Sequence, residues 1–395
     1  MYVLGLDVGG TSSRALLLDA SGRRAGYGRA PGGNPAAHGN AVAVANIGLA
    51  LELALRGIDP GLVTGAVIGL AGGGALDRLV FDPMWAAAGL RVPPRLTGDL
   101  GIAFAAGTAA PRGTALIAGT GAIAARIEDG EPVMIADGLG WLLGDQGSGF
   151  WLGREAAGAA AHALSRGDAG GRLTRLVVGA LLEDEPLPPG PARLSPGGSP
   201  APAARHSPGG PPASGERGVK GSGPAAEESR PPRSGDRAAG QGASGRGPSP
   251  ARRGIGEMGG GGAGTVEELR ALAIRLVVHA QSRPPLELAR LAPLVSRAAA
   301  EGDPAALKIV STGARLLCET VAEVRQAGET SPIVLAGSVL TSEGPVASAV
   351  RERLGPATVL AGDGAGAAAW LAGREAFGWD PATAARLHAR IVSGD

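Results

Sequence analysis

Residues 4–18 are LGLDVGGTSSRALLL, an apolar run, an acid, two glycines and a threonine, and then a second apolar run. This order predicts a strand, a tight turn and a second strand. Gly9 and Gly10 carry no Cβ, so the backbone N–H groups of the turn can point into one space and bind an anion such as phosphate. Asp7 offers the hard oxygen ligand that Mg²⁺ prefers. The same residues also fit a hairpin turn with a surface acid, and the stretch alone leaves both interpretations open.

A second segment repeats this arrangement later in the chain. Residues 114–118 are apolar, Gly119-Thr120-Gly121 forms a turn, and another apolar run follows. Asp129-Gly130 then predicts a hairpin into a third strand. We interpret the two segments as an internal duplication, which would place two phosphate-type turns on opposite sides of one cleft.

Two further acids lie where a site could form. Asp99 follows a short predicted strand and opens a predicted helix, where the helix dipole favours a carboxylate. It could act as a general base, because a free aspartate is ionised at neutral pH, or serve only as a helix N-cap. Asp145 lies in a glycine-rich segment with Trp141 and Trp151, which could supply a carboxylate and an apolar wall to a binding site. The alternatives are a surface acid and two core tryptophans.

The composition limits the classes of function. The chain has 395 residues, enough for two domains, and 44% of them are apolar but only 3% aromatic. Its one cysteine, Cys318, excludes a disulfide framework and a cysteine-rich zinc or iron–sulfur site within one chain. The five histidines show no ligand spacing. No apolar stretch reaches the length of about 18 residues that a membrane span needs, so we expect a cytoplasmic protein without a membrane partner.

One long segment differs from the rest of the chain. Residues 186–264 consist mainly of Pro, Gly, Ser, Ala and Arg, with few large apolar side chains. Such a segment cannot bury enough surface to offset its ordering entropy, so we predict that it is disordered. Its basic residues outnumber its acidic ones, so the remainder is mildly acidic and no nucleic-acid partner is expected. On both sides of it, strands alternate with helices, which predicts an α/β fold.

Six motifs resemble those of a known family. In chain order they are Gly5-Leu6-Asp7-Val8-Gly9-Gly10-Thr11, Gly33-Asn34-Pro35, Thr97-Gly98-Asp99, Ala118-Gly119-Thr120-Gly121, the segment from Gly140 to Ser148, and Ala336-Gly337-Ser338-Val339. They are similar to motifs of the sugar kinase/actin superfamily and, within it, of the N-acetylglucosamine kinase group of the BadF/BadG/BcrA/BcrD ATPase family. The resemblance implies two ribonuclease-H-like (actin-like ATPase) domains facing a central cleft. Residues 1–110 would form the first domain, and residues 111–395 the second, interrupted by the disordered insertion at 186–264.

The resemblance also implies roles for individual residues. ATP and Mg²⁺ would be the cofactors, and the γ-phosphoryl group would pass to O6 of an amino sugar, N-acetylglucosamine or glucosamine. Asp99 would be the catalytic base, and Asp7 would hold Mg²⁺ through water. The implied nucleotide-binding residues are Gly9, Gly10, Thr11, Gly119, Thr120, Gly121, Gly302, Gly337, Ser338 and Ser342. The implied substrate-binding residues are Asn34, Asp99, Gly140 and Asp145.

Two departures from the family pattern leave the identity of the sugar open. Ala122 stands where the family usually has serine, and Gln146 where it usually has glutamate. The alternatives are a kinase for another hexose or a muramyl-type sugar, or a nucleotide- or sugar-binding regulator without turnover. Dimers are common in the family, so a homodimer is a further expectation.

Overall fold

The computed structural model describes residues 1–182 and 265–393, and the predicted disordered insertion at 186–264 lies outside the described residues. The strands are β1 (Tyr2–Val8), β2 (Ser12–Asp19), β3 (Arg24–Pro31), β4 (Val63–Leu70), β5 (Arg95–Thr97), β6 (Arg112–Ala118), β7 (Ala122–Glu128), β8 (Glu131–Asp137), β9 (Ile333–Ala336) and β10 (Thr358–Leu360). The helices are α1 (Pro35–His38), α2 (Asn40–Ala54), α3 (Arg78–Ala87), α4 (Asp99–Ala105), α5 (Gly140–Leu143), α6 (Gly149–Ser165), α7 (Arg172–Leu181), α8 (Val266–Gln281), α9 (Ala292–Ala300), α10 (Pro304–Val324), α11 (Ser338–Thr341), α12 (Pro345–Leu354), α13 (Gly364–Ala376) and α14 (Pro381–Ser393).

The first sheet contains the predicted strand–turn–strand unit. Its strand order is β3-β2-β1-β4-β5. β1 pairs antiparallel with β2 and parallel with β4, which pairs parallel with β5. Leu4 and Leu6 of β1 pack in the core that contains α2, whereas Val3 packs in the core that contains α13. Burial on both faces explains why this strand is apolar almost throughout.

The second sheet has the same topology as the first. Its order, β10-β9-β6-β7-β8, matches the order of the first sheet when taken from the opposite end. β6, β7 and β8 form an antiparallel meander, to which β9 and β10 add parallel strands. The turn at residues 119–121 therefore has the place in this sheet that residues 9–11 have in the first. The predicted α/β class and internal duplication are confirmed.

One helix packs between the two sheets, and another covers one face of the first sheet. α4 packs on strands of both sheets. α13 packs on β1, β2 and β4 at close range, because a Cβ on Gly5 of β1 would lie only 2.0 Å from the backbone nitrogen of Ala369. The end of the chain therefore completes the core around its beginning. The division into domains at residues 110 and 111 stays a prediction.

The helices of the structure differ in three places from those that the sequence predicts. The sequence predicts one helix over Leu286–Ala300, but the structure has a 3₁₀ helix, Pro285–Leu291, followed by α9, because Pro293 favours a helix start. The segment Pro31-Gly32-Gly33-Asn34-Pro35 predicts a loop, but its last residue begins α1, and α14 has no counterpart among the predicted elements. Within the described residues, no helix combines the length and the apolar character needed to cross a bilayer.

Candidate functional site

Two predicted acids lie at the carboxyl end of the first sheet. Parallel pairing places Asp7 beside Gly69, and Gly69 beside Thr97. Asp99 follows two residues later, as the first residue of α4. Because neighbouring strands lie about 4.8 Å apart, these strand ends share one edge of the sheet. Asp7 and Asp99 are close enough for the charge of Asp99 to raise the pKa of Asp7.

The first turn presents backbone donors that have no acceptor among the described residues. The Gly9 N–H donates to the Ser12 carbonyl at 3.0 Å and closes the turn. The N–H groups of Gly10 and Thr11 donate to no acceptor in residues 1–182 and 265–393. A Cβ on Gly10 would meet no atom within 4 Å, so these donors border open space. Two adjacent N–H groups of this kind can bind an anion such as phosphate.

The loop after β3 fixes the direction of these donors. The Gly33 N–H donates to the Gly9 carbonyl at 3.1 Å, and Nε2 of His38 lies 2.7 Å from the Gly10 carbonyl oxygen. These carbonyls share peptide units with the unused N–H groups of Gly10 and Thr11. In a planar trans peptide the N–H points away from the C=O of the same unit. The donors of the turn therefore point away from the loop.

Asp7 lies between a cation and a helix end. Its Oδ2 accepts a hydrogen bond from Nη2 of Arg14 on β2 at 2.6 Å. A Cβ on Gly364, the first residue of α13, would lie 2.5 Å from the same oxygen. Burial raises the pKa of Asp7, and the Arg14 guanidinium opposes this increase. The negative charges of Asp363 and Asp99 add to the increase.

These surroundings fit a Mg²⁺ ion at Asp7. The other carboxylate oxygen, Oδ1, accepts no hydrogen bond within the part of the chain that the structure describes. Mg²⁺ keeps several waters and takes only one or two carboxylates, with substrate phosphates among its other ligands. Asp7 can therefore hold the ion directly or through water, next to the unused donors of the first turn.

Asp99 is oriented by the start of α4. The N-cap position belongs to Gly98, so the alternative that Asp99 is the N-cap is wrong. Burial raises the pKa of Asp99, whereas the backbone N–H groups of Leu100 and Asp99 lower it. Among the described residues, no other side chain donates a hydrogen bond to its carboxylate. The group is therefore available to accept a proton from a substrate.

The second turn has the same two unused donors in a more enclosed setting. The N–H groups of Thr120 and Gly121 donate to no acceptor among the described residues. The carbonyls of Gly119 and Thr120 accept hydrogen bonds from Gly149 and Phe150, at the start of α6, at 2.7 and 3.1 Å. Since these carbonyls share peptide units with the unused N–H groups, the donors point away from α6.

The four remaining predicted nucleotide-binding residues, Gly302, Gly337, Ser338 and Ser342, divide into two groups. Gly337 follows β9 and adjoins the second turn, because a Cβ there would lie 2.4 Å from the Ala118 carbonyl oxygen. Ser338 begins α11, and the Ser342 hydroxyl donates to its carbonyl. Gly302 lies between α9 and α10, with a φ of 80°. No hydrogen bond of the described residues joins Gly302 to this segment, so its place in the site stays a prediction.

Asp145 lies against the second turn. Its residue is only 8% exposed, so the alternative of a surface acid is wrong. Its Oδ1 accepts a hydrogen bond from the Ala122 N–H at 3.0 Å, and a Cβ on Gly121 would lie 2.8 Å from the same oxygen. Burial raises the pKa of Asp145, the Ala122 N–H lowers it, and the charge of Asp137 raises it. The predicted sugar residue thus touches the predicted phosphate turn.

The remaining predicted sugar contacts lie on both sides of the site. Asn34 accepts hydrogen bonds at Oδ1 from the Ala36 and Ala37 N–H groups, at 2.8 and 3.3 Å, and so caps α1. Its Nδ2 has no partner among the described residues. Gly140 begins α5, and the next residue, Trp141, is 36% exposed. Asn34 and Asp99 therefore follow strands of the first sheet, β3 and β5. Gly140 and Asp145 follow β8 of the second sheet.

A comparison with known families assigns the chain. A model of the BadF/BadG/BcrA/BcrD ATPases matches residues 4–359. The chain belongs to the BadF/BadG/BcrA/BcrD ATPase family. The family inferred from the sequence motifs is confirmed, and with it an enzyme class that uses ATP. Among curated proteins, no similar sequence is found.

Solved structures share the fold of this BadF/BadG/BcrA/BcrD family member. A candidate N-acetylglucosamine kinase from Chromobacterium violaceum is 19% identical, with 94% of this chain and 98% of that chain covered and a TM-score of 0.58. A candidate N-acetylglucosamine kinase from Porphyromonas gingivalis is 16% identical, with 98% and 99% covered and a TM-score of 0.54. At these identities the likeness is one of fold.

Sequence reasoning missed four residues of the candidate site in this BadF/BadG/BcrA/BcrD family member. Arg14 pairs with Asp7. His38 supports the first turn, and Asp363 caps α13 while facing Asp7. Asp137 binds the loop of Asp145. Only Asp363 had a detectable signal, an acid directly before a glycine-rich helix, because the other contacts depend on the tertiary fold.

One pocket of the molecule lies elsewhere. A cavity of about 350 Å³ between α2 and α3 is lined by Gly48, Glu52, Leu55, Met84, Ala87 and Ala88. None of the predicted site residues is among them. Asp7 and Asp99 instead lie at the carboxyl end of the first sheet, and Asp145 lies beside the second turn.

Proposed function

We propose that this protein transfers the γ-phosphoryl group of ATP to O6 of an amino sugar, N-acetylglucosamine or glucosamine. The observation that carries this proposal is that each of two equivalent turns leaves two adjacent N–H groups unused, while the helix between the sheets begins with the Asp99 carboxylate. Phosphate sites and an oriented base are the parts needed for phosphoryl transfer to a hydroxyl. The fold shared with candidate N-acetylglucosamine kinases supports the class of sugar.

The two turns would hold the phosphates. Gly10 and Thr11 would donate from the first turn, and Thr120 and Gly121 from the second. Fixed donors of this kind contribute most of the catalysis in phosphoryl transfer, by positioning and by offsetting charge. Asp7 would hold Mg²⁺, which when bound neutralises part of the phosphate charge.

Asp99 would accept the proton of the attacking hydroxyl. A general base works best when its pKa lies near the working pH, and burial raises the pKa of Asp99 in that direction. The unused amide of Asn34 and the carboxylate of Asp145 would hold other hydroxyls of the sugar. Those contacts would set the direction of O6 toward Asp99.

A coupled ADP-release assay over a panel of sugars tests the proposal. The panel contains N-acetylglucosamine, glucosamine, glucose and a muramyl sugar, each with ATP and Mg²⁺, against a sugar-free control. We expect the amino sugars to stimulate ADP release most, and phosphorus NMR of the product to show the phosphate on O6. Chelation of Mg²⁺ should abolish the stimulation. Preference for another sugar favours the hexose or muramyl alternative, and no stimulation by any sugar favours a regulator without turnover.

A cytoplasmic location and a homodimer belong to the same proposal. The single cysteine and the use of ATP support the location. The outer edge of β8 pairs with no strand of the described residues, and Val133, Ile135, Leu142 and Leu143 of β8 and α5 are exposed. Such an apolar edge supports association with a second copy. Sedimentation of the full chain should show a dimer, and a monomer at all concentrations would contradict it.

A further inference from the structure

The carboxylate of Asp137, at the end of β8, is bound by two consecutive backbone donors. Its Oδ1 accepts a hydrogen bond from the Asp145 N–H at 2.7 Å, and its Oδ2 accepts one from the Gln146 N–H at 2.8 Å. Asp145 has a φ of 56°, in the left-handed region, which turns successive N–H groups toward one concavity. The loop thus binds a side-chain carboxylate in the way that a phosphate turn binds its anion.

These contacts close into a ring through the second turn. Asp145 accepts a hydrogen bond from the Ala122 N–H at 3.0 Å, and the Ala122 carbonyl accepts one from the Gly138 N–H at 3.0 Å. Gly138 follows Asp137 directly, which completes the ring. Ala122 is the residue that follows the turn at 119–121. The ring therefore ties the loop of Asp145 to the segment that presents the unused phosphate donors.

The ring has little room for adjustment. A Cβ on Gly144 would lie 2.1 Å from Oδ1 of Asp137, and a Cβ on Gly121 would lie 2.8 Å from Oδ1 of Asp145. Hydrogen bonds to an ionised carboxylate are shorter and stronger than those between neutral groups. The position of the Asp145 carboxylate is therefore determined by Asp137 and by the absence of side chains at these two glycines.

The two residues that depart from the family pattern take part in the ring only through their backbone groups. Ala122 takes part through its N–H and carbonyl, and Gln146 through its N–H. Neither residue contributes its side chain to the ring. A serine or a glutamate is therefore not needed at these positions to hold Asp145 in place.

We propose that Asp137 is a positioning residue that holds the carboxylate of Asp145 beside the second phosphate turn, so that sugar and phosphates are presented together. This inference rests on the proposed function, in which Asp145 binds the sugar and the turn binds phosphate. Asp137 acts through Asp145 and not on the substrate. Loss of its carboxylate frees the loop and weakens sugar binding, while the turn keeps its own support from α6.

The variant Asp137→Asn tests the proposal with the full chain. Asparagine keeps the size and tolerates a φ of 59°, but it presents an NH₂ donor where one N–H needs an acceptor. We expect the KM for the sugar to rise about 10-fold to 100-fold and the KM for ATP to change less than about 3-fold. The matched control is Asp129→Asn, another aspartate in the left-handed region (φ 51°), whose carboxylate makes no hydrogen bond in the described residues. It should have wild-type kinetics.

A double variant separates positioning from a general structural effect. If Asp137 acts through Asp145, Asp137→Asn adds little to the loss in Asp145→Asn, because both remove the same interaction. Additive losses would overturn the proposal. A lower melting temperature with an unchanged KM for the sugar would overturn it as well.

Amide hydrogen exchange tests whether Asp137 holds the loop, independently of whether the proposed function is correct. The N–H groups of Asp145 and Gln146 should exchange slowly in the wild type and at least about 10-fold faster in Asp137→Asn. If the wild type phosphorylates no sugar, the proposed function fails, and the exchange rates still decide whether Asp137 holds the loop. Equal exchange rates in the two proteins would refute the positioning role regardless of activity.

Discussion

The turns at residues 9–11 and 119–121 have the same form but different supports. The first is held by the Gly33 N–H and the His38 ring, beside an Asp7–Arg14 pair whose side chains are 22% and 36% exposed. The second is held by the backbone of α6, by the close approach of residue 337 and by the buried carboxylate of residue 145. The same short pattern thus yields the same unused donors in both turns. The surroundings make the first side charged and open, and the second side rigid.

The largest expected effect concerns the charged side. Asp99→Asn removes the proposed base but keeps its size, and should lower kcat by about 10²-fold to 10⁴-fold. ADP release at saturating sugar and ATP measures this, with circular dichroism to verify the fold. Near-wild-type turnover would show that the first side provides no base. The two sides would then differ only in the contacts that hold their turns.

The charged side should also limit stability at neutral pH. The folded-state pKa of Asp99 is raised above its ordinary value of 3.8, so the folded protein binds that proton more tightly than the unfolded chain does. The corresponding stabilisation is present below pH 3.8 and is lost as the pH rises through the folded-state pKa. Asp99→Asn should therefore melt at a higher temperature than the wild type at pH 7, with the difference disappearing under acidic conditions. A lower melting temperature at pH 7, by calorimetry, would contradict this.

Two glycine substitutions test whether the second turn is more tightly packed than the first. Gly121→Ala places a Cβ 2.8 Å from the buried Asp145 carboxylate and should destabilise the protein by about 1–3 kcal/mol. Gly10→Ala meets no atom within 4 Å and should change the free energy of unfolding by less than about 0.5 kcal/mol, yet weaken ATP binding, because its methyl group enters the phosphate space. Urea unfolding and calorimetric ATP titration measure the two effects. Equal destabilisation would remove the distinction between the turns.

The smallest expected effect on ATP binding concerns the His38 support. His38→Ala removes a single side-chain hydrogen bond to the Gly10 carbonyl and should cost about 0.5–1.5 kcal/mol of stability. The KM for ATP should rise modestly, and His38→Gln should restore part of the loss through its amide. The corresponding carbonyls of the second turn bind backbone donors, so no side-chain substitution has the same effect there. A wild-type KM for ATP in His38→Ala would show that the first turn keeps its shape without this support.

The sequence predicted the repeated parts of the molecule better than the contacts between them. Glycine-flanked apolar runs are local signals, so the two turns, the flanking strands and the position of Asp99 could be derived. The burial of Asp145 and the role of Asp137 could not, because they depend on side-chain contacts with backbone from other elements. The hydrogen bond from the Asp145 N–H to the Asp137 carboxylate spans 8 residues, and Asp363 faces Asp7 from the far end of the chain.

The packing of α13 on β1 also has a consequence for synthesis. The ion pair between Arg24 and Asp363 joins residues 339 positions apart, so the strands of the first sheet leave the ribosome long before the helix that covers them. At about 5–20 residues per second, that delay is roughly 20 to 70 seconds. During this time the face that contains Val3, Leu16 and Val67 has no α13 to cover it. The sheet whose strands are made first is therefore covered last, because its α13 face is complete only after residues 364–376 have been made.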